Sequence, residues 1–299
     1  MLQENHSFFD SLSERSAPSP YPSPPKTGAR GPNQRALALA ALTIVFTMTA
    51  LVPAAEPIVS TLRQAHAHND YAHPRPLLDA LAQGFGSVEA DIFLTADGLL
   101  VGHDQKELRP GRTLEKLYLD PLRERIRSHD GWVYTPGFTL WLLIDVKTDA
   151  EPAYAALHQV LNKYDDILSV TRDGKFEPKG VTIVLSGNRA QATIAQQTVR
   201  YVGIDGRPED LNSNESAHLR PWISASWSSQ FQWKGDGPLP DAERQKLTAF
   251  VEQAHARGRL VRFWATPEKE AMWRELAAAK VDLINTDRLA DLRKFLLEQ

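Results

Sequence analysis

Beyond residue 60 the chain alternates eight times between a short apolar run and a helical or loop-like stretch, and this pattern restricts the fold more than any other feature. The candidate strands are Thr61–Ala65, Ser87–Phe93, Leu140–Val146, Val181–Leu185, Tyr201–Ile204, Ile223–Ala225, Leu260–Trp264 and Leu283–Asn285. Helical patterns lie between them, among them Leu77–Gln83, Pro152–Lys163, Asp241–Arg257 and Pro267–Ala279. Apolar runs of strand length separated by amphipathic segments are the mark of βα units. Pro152 and Pro267 suit first-turn positions, and Gly258 suits the stop after a helix. Thr95-Ala-Asp-Gly98 reads as a tight turn feeding an extra short strand, Leu99–Val101. Eight strands with helical crossovers predict an α/β fold, a single (β/α)8 TIM barrel over residues 55–299, with no second domain and no internal repeat.

The N-terminus has a different character. Residues 1–34 hold Pro18, Pro20, Pro22, Pro24, Pro25 and Pro32 among Ser, Gly and Ala, a composition expected to stay disordered. Residues 35–54 follow as an apolar segment: Ala36–Val52 carries no charge and stands behind Lys26, Arg30 and Arg35. Val52-Pro53-Ala54 supplies small residues of the kind a signal peptidase accepts. The expectation is a signal peptide, and hence export to the periplasm or medium. An uncleaved segment would instead anchor the chain or associate it with a membrane through residues 36–52.

Composition narrows the function. A 42% hydrophobic, 24% charged chain is ordinary for a soluble globular protein. A net charge of −3 gives no reason to expect nucleic acid, which calls for a basic face. The absence of cysteine excludes disulfides and thiolate chemistry.

Chemistry concentrates at the strand ends, which in such a barrel form the working face. His66 follows the first strand, and Glu89 and Asp91 lie in the second. Period-two alternation puts both carboxylates on one side of the strand. Two acids held this close repel, so a divalent cation is their natural partner. Asp145 and Lys147 end the third strand, and a charge inside an apolar strand is costly unless paired or liganded. Asp145 is therefore a third candidate metal ligand, and Lys147 can hold an anionic oxygen. Ser186 and Asn188 follow the fourth strand, and Trp264 ends the seventh. His68 and His73 read as readily as loop residues. Residues 224–233, rich in Trp and Ser, suit either a headgroup contact or a plain loop.

The set His66-x-x-Asn69, Glu89-x-Asp91, Asp97-Gly98, His103-Asp104 and Asp145-x-Lys147 resembles the phospholipase-C-like phosphodiesterase superfamily, home of glycerophosphodiester phosphodiesterases and sphingomyelinase-D-type enzymes. His66-Ala-His-Asn-Asp-Tyr71, Ser87-Val-Glu-Ala-Asp91 and Leu100-Val-Gly-His-Asp104 look most like the altered inheritance of mitochondria protein 6 group. Phe263-Trp-Ala-Thr266 and Asp282-Leu-Ile-Asn-Thr-Asp287 extend the likeness to about residues 60–290. By that resemblance His66 and His103 match the catalytic pair. Glu89, Asp91 and Asp145 match the ligands of one divalent cation, magnesium or calcium. Lys147 and Trp264 match residues lining the substrate pocket, and Asn69 joins them, placed to orient His66 or a metal-bound water. One departure stands out: the Pro-Glu-Asn segment of glycerophosphodiesterases is replaced here by Asn-Asp-Tyr-Ala-His-Pro-Arg-Pro at 69–76.

The resemblance implies a monomeric, metal-dependent phosphoric diester hydrolase acting on a small-molecule or lipid phosphodiester, with two histidines exchanging protons. Two other readings remain open on the residues. His66-x-His68 suits the transition-metal pair of an amidohydrolase or polymerase-associated phosphatase, with Asp287 in support. A barrel that only binds a carbohydrate or lipid headgroup is the other.

Overall fold

The computed structural model describes residues 59–299; the Pro-rich segment 1–34 and the apolar segment 35–54 lie outside them. Among the described residues no helix is long and apolar enough to cross a membrane.

Eight parallel strands close into a barrel. They are β1 (Leu62–Ala67), β2 (Phe85–Thr95), β3 (Leu140–Val146) and β4 (Val181–Gly187). The second half comprises β5 (Val202–Gly206), β6 (Trp222–Ser226), β7 (Leu260–Trp264) and β8 (Leu283–Thr286). Closure comes from β1, which pairs in parallel with both β2 and β8. All eight strands expected from the sequence form, with ends shifted by a few residues. Most are largely apolar because helices cover the outside while side chains fill the inside, although β1 also carries Arg63, Gln64 and His66.

Alternation sorts every strand into two sets. Val88, Ala90, Ile92, Leu142, Ile144, Ile183, Leu185, Ile223 and Ile284 belong to the main core, between sheet and helices. Leu143, Val184, Trp222 and Leu283 form a separate buried cluster, with Trp141 and Leu260 against it, and this plugs the barrel interior. One step further toward the strand C-termini the inward positions turn polar: His66, Glu89, Ser186, Asp205, Ser224, Arg262 and Asn285 are all buried. An apolar plug therefore supports a buried polar layer, and the cleft opens above it.

Residues 95–98 make the expected turn, and Gly98–Val101 returns antiparallel to the end of β2. Gly258 has φ +68, just past the helix Asp241–His255, as a helix stop requires. Pro152 falls inside the first turn of the helix Ala150–Asn162. Pro267 does not start a helix: the next one is Glu270–Ala278, and Pro267 precedes its cap, its carbonyl accepting from Lys269 N–H. A small antiparallel sheet of 170–172, 175–177 and 199–200 has no counterpart in the sequence reading. Residues 224–233 prove to be packing: buried Trp227 stacks on Phe231 at 4.2 Å and donates its indole N–H to the Trp233 carbonyl.

Candidate active site

Strand register assembles the carboxylates. Asp91 in β2 lies opposite Asp145 in β3, and Glu89 opposite Leu143. Glu89, Asp91 and Asp145 bring ligand oxygens within 4.8 Å of one another. Gly187, which follows Ser186 at the end of β4, makes room for them. Its φ is +66, and a Cβ there would stand 2.0 Å from Asp145 Oδ1.

The cluster floors a cleft of about 320 Å³ at the C-terminal mouth of the barrel. His68, Asn69, His103, Lys147, Arg207 and Trp264 are among its walls. Trp264 is 42% exposed, so it is a wall of the cleft rather than core. Lys147 Nζ lies 2.9 Å from Asp91 Oδ2 and 3.4 Å from Asp145 Oδ2.

The two histidines near β1 part company. His66 is 0% exposed, inside the polar layer beneath the cleft. Its Nδ1 accepts from the Ser87 hydroxyl at 2.7 Å, and its Nε2–H donates to Glu89 Oε2 at 3.1 Å. Burial, with Arg262 nearby, lowers its pKa to about 4, so the ring is neutral. Both nitrogens are used, and none remains to meet a substrate.

His68 stands in the cleft wall. Its Nδ1–H donates to Asp287 Oδ1 at 2.7 Å, and Nε2 has no hydrogen-bond partner among the described residues. Burial opposes the charged form, but the Asp287 hydrogen bond and the Glu89 charge outweigh it and raise the pKa. The His66-x-His68 pair therefore does not converge on one point. Among the described residues the sole group suited to a metal is the carboxylate trio.

His103, 59% exposed at its side chain, projects from the segment after the 98–101 hairpin strand. Its Nδ1–H is held by Asp91 Oδ2 at 3.1 Å and by the Tyr71 hydroxyl at 3.2 Å. Tyr71 is the hub of this wall, since its hydroxyl also lies 2.8 Å from Asp91 Oδ2 and 2.5 Å from Asn69 Oδ1. Asn69 adopts left-handed backbone, φ 48, which asparagine tolerates better than most residues. Its amide nitrogen reaches Asp287 Oδ1 at 3.2 Å, linking the two histidine walls. Asp70 braces the same loop by accepting the Leu77 N–H at 2.5 Å and the Tyr118 hydroxyl at 2.9 Å.

Sequence reasoning overlooked Arg262, Tyr71 and the pair Asp205 and Arg207, which meet the Ser186 it had placed after the fourth strand. Arg262 lies inside the barrel, with Nη2 2.5 Å from Glu89 Oε2 and Nε 2.8 Å from Asn285 Oδ1. Burial would raise the Glu89 pKa, but the guanidinium holds the carboxyl below its usual range. An arginine amid Leu-Val-Arg-Phe-Trp was the available signal, on the same cost argument that singled out Asp145. Arg207 lies across the cleft, 2.7 Å from Asp205 Oδ2, which also accepts the Ser186 hydroxyl at 2.8 Å.

The trio fits a hard cation. All three donors are oxygens, and Asp91 Oδ1 is buried without a hydrogen-bond partner among the described residues. Burial and mutual repulsion raise the Asp91 pKa despite Lys147, and burial pushes Asp145 up to about 6. A cation here would relieve that repulsion.

Residues 58–205 match the AIM6-like phosphodiesterase domain, and residues 261–290 match the glycerophosphoryl diester phosphodiesterase family. The chain is similar to altered inheritance of mitochondria protein 6 of Eremothecium gossypii, with 30% identity over 79% of this chain and 70% of that protein. The homologue from Arthroderma benhamiae is 28% identical over 74% of this chain and 80% of its own length. Two solved structures share the fold at 16% identity and a TM-score of 0.50. One is a calcium-dependent phosphoinositol-specific phospholipase C from Pseudomonas, covering 76% of this chain and 89% of its own. The other is a glycerophosphodiester phosphodiesterase from Parabacteroides distasonis, covering 80% and 99%. On its similarity to these relatives, joined to a closed barrel whose strand ends carry the expected carboxylates, the chain belongs to the altered inheritance of mitochondria protein 6 family.

Proposed function

We propose that this chain hydrolyses phosphodiesters, with Glu89, Asp91 and Asp145 holding one divalent cation, magnesium or calcium, and His68 and His103 exchanging protons with the substrate. The observation that carries the reading is one cleft presenting three clustered carboxylates, a lysine and two imidazoles, each imidazole fixed through Nδ1 with Nε2 left open. The cation, when bound, would supply positive charge to the phosphoryl oxygens.

The protein's own groups account for the rest. Lys147 places a cation beside the trio, where it neutralises a diester oxygen as negative charge grows in the transition state. Asp287 holds His68 in one orientation and favours its protonated form, which suits the donor of a proton to the leaving oxygen. Asp91 and Tyr71 hold His103 so that its Nε2 is the basic atom, suited to take a proton from water or from a neighbouring substrate hydroxyl. His66, matched by sequence resemblance to this role, is better placed to orient Glu89 from below. Trp264 offers a flat apolar face for the substrate's non-phosphate part. The substrate is a small-molecule or lipid phosphodiester; export, or membrane association through residues 36–52, belongs to the same reading and is tested by sequencing the N-terminus of the protein recovered from cells.

The test is a panel of phosphodiesters assayed on the metal-stripped full chain with magnesium, calcium, zinc or none added. Turnover that needs a hard cation and disappears in Glu89→Gln, His68→Ala and His103→Ala is the expected result. Turnover restored only by zinc, or none on any diester, would overturn it.

A further inference from the structure

A second cavity adjoins the cleft on the other side of His103. It measures about 440 Å³, and Asn69 and His103 line both spaces. Tyr71, Glu107, Arg109 and Arg112 complete its polar lining. Glu107 is already committed, its carboxylate accepting the backbone N–H of His103 at 3.2 Å and of Asp104 at 3.4 Å. The two arginines are not neutralised. Arg109 Nη1 donates to the Lys106 and Leu108 carbonyls at 3.0 and 2.9 Å, and Arg112 Nη2 to the Tyr71 carbonyl at 2.8 Å. Neither forms an ion pair among the described residues, whereas Arg207, Arg220 and Arg262 each meet a carboxylate. Guanidinium groups held by carbonyls, with nitrogens to spare, are suited to bind carboxylate or phosphate oxygens.

We infer that this cavity receives one ester arm of the substrate and that the arm carries a second anionic group, a carboxylate or a phosphate, bound by Arg109 and Arg112. The inference rests on the phosphodiesterase reading and names its substrate class. The shared wall sets the geometry: an arm attached to phosphorus in the cleft reaches the cavity by passing His103 and Asn69. The diester thus presents two separated anionic centres, one over the carboxylate trio and Lys147 and one between the arginines.

Glycerophosphoserine and glycerophosphoethanolamine differ by one carboxylate and test this on the full chain. The expected result is a kcat/KM for the serine ester about tenfold above that for the ethanolamine ester at low salt, shrinking as salt is added. Arg109→Ala brings the ratio toward one, and Arg109→Lys keeps part of it. Because Arg109 bonds only to carbonyls of its own turn, circular dichroism and urea midpoints show whether each variant stays folded. A wild-type ratio near one, or a preference that survives Arg109→Ala, overturns the inference and leaves the phosphodiesterase reading standing. If neither ester is turned over, calorimetric binding of the same two compounds decides. Equal affinities overturn the inference, and a tighter serine ester weakened by Arg109→Ala supports it.

Discussion

His66 and His68 are two residues apart and occupy opposite environments. His66 sits within the closed barrel against Ser87 and Glu89, with Arg262 beyond, where water is excluded and every polar group must find its partner inside the protein. His68 sits one step above, on the rim, fixed by Asp287 and open to the cleft. The inner layer has its charges cancelled, Glu89 by Arg262. On the rim a single lysine, Lys147, faces both Asp91 and Asp145, and among the described residues Asp91 Oδ1 has no hydrogen-bond partner. In the inner layer His66 and Arg262 both hold Glu89, whereas on the proposed reading proton exchange falls to the histidines of the rim.

The largest expected effect separates the two regions directly. His103→Ala and His68→Ala should each lower kcat by about 10²–10⁴-fold while the free energy of urea unfolding moves by under ~0.5 kcal/mol. His66→Gln should show its main cost in the free energy of urea unfolding, at about 1–3 kcal/mol. Full activity in His68→Ala beside an inactive but stable His66→Gln would invert the comparison.

Next comes Arg262→Met, which leaves the Glu89 carboxylate buried and unpaired. Losing one partner of a buried pair costs about 3–5 kcal/mol. Denaturant unfolding measures it, and a loss under ~1 kcal/mol would mean that the inner layer is not held together by this pair.

The pH dependence of stability sharpens the contrast, because the two histidines shift in opposite directions. The folded pKa of His66 lies near 4, below the 6.5 of an unperturbed imidazole, so the unfolded chain takes up a proton first as pH falls. Its contribution is present above pH 6.5 and is lost between 6.5 and 4, by about 3 kcal/mol in all. His68, raised above 6.5, contributes in the opposite sense: its stabilisation is full below 6.5 and fades as pH rises through its folded value. Urea unfolding of metal-free wild type and His66→Gln from pH 4 to 8 gives a difference curve. A flat difference curve would show that His66 is not a neutral, buried ring.

The smallest effect belongs to the outermost residue. Trp264→Ala should raise KM several-fold and leave stability within ~0.5 kcal/mol, since the indole is a partly exposed wall. A large loss of stability would make it core after all.

Much of this was legible along the chain, for identifiable reasons. A barrel strand covered on both faces must be apolar along its length, so eight runs could be recognised and ordered. Within β2 the period of two is a local property, so Glu89 and Asp91 could be assigned to one face before any pairing was known, and Asp145 stood out in β3 as a charge inside an apolar run. The 95–98 turn carried its own chemistry in Asp97-Gly98. Pro267 misled because proline suits both the first turn and the segment just before a helix, and only the cap at Lys269 distinguishes them.

The number and order of the strands, and the shared face of Glu89 and Asp91, follow from residue type and spacing along the chain. Tertiary structure alone decided which groups meet. Arg262 reaches Glu89 across 173 residues, and Asp287 reaches His68 across 219. His66 and His68 could not be told apart by spacing, because their difference is set by where β1 ends relative to β2 and β8. That level, between a closed interior and an open rim, exists only once the barrel has closed.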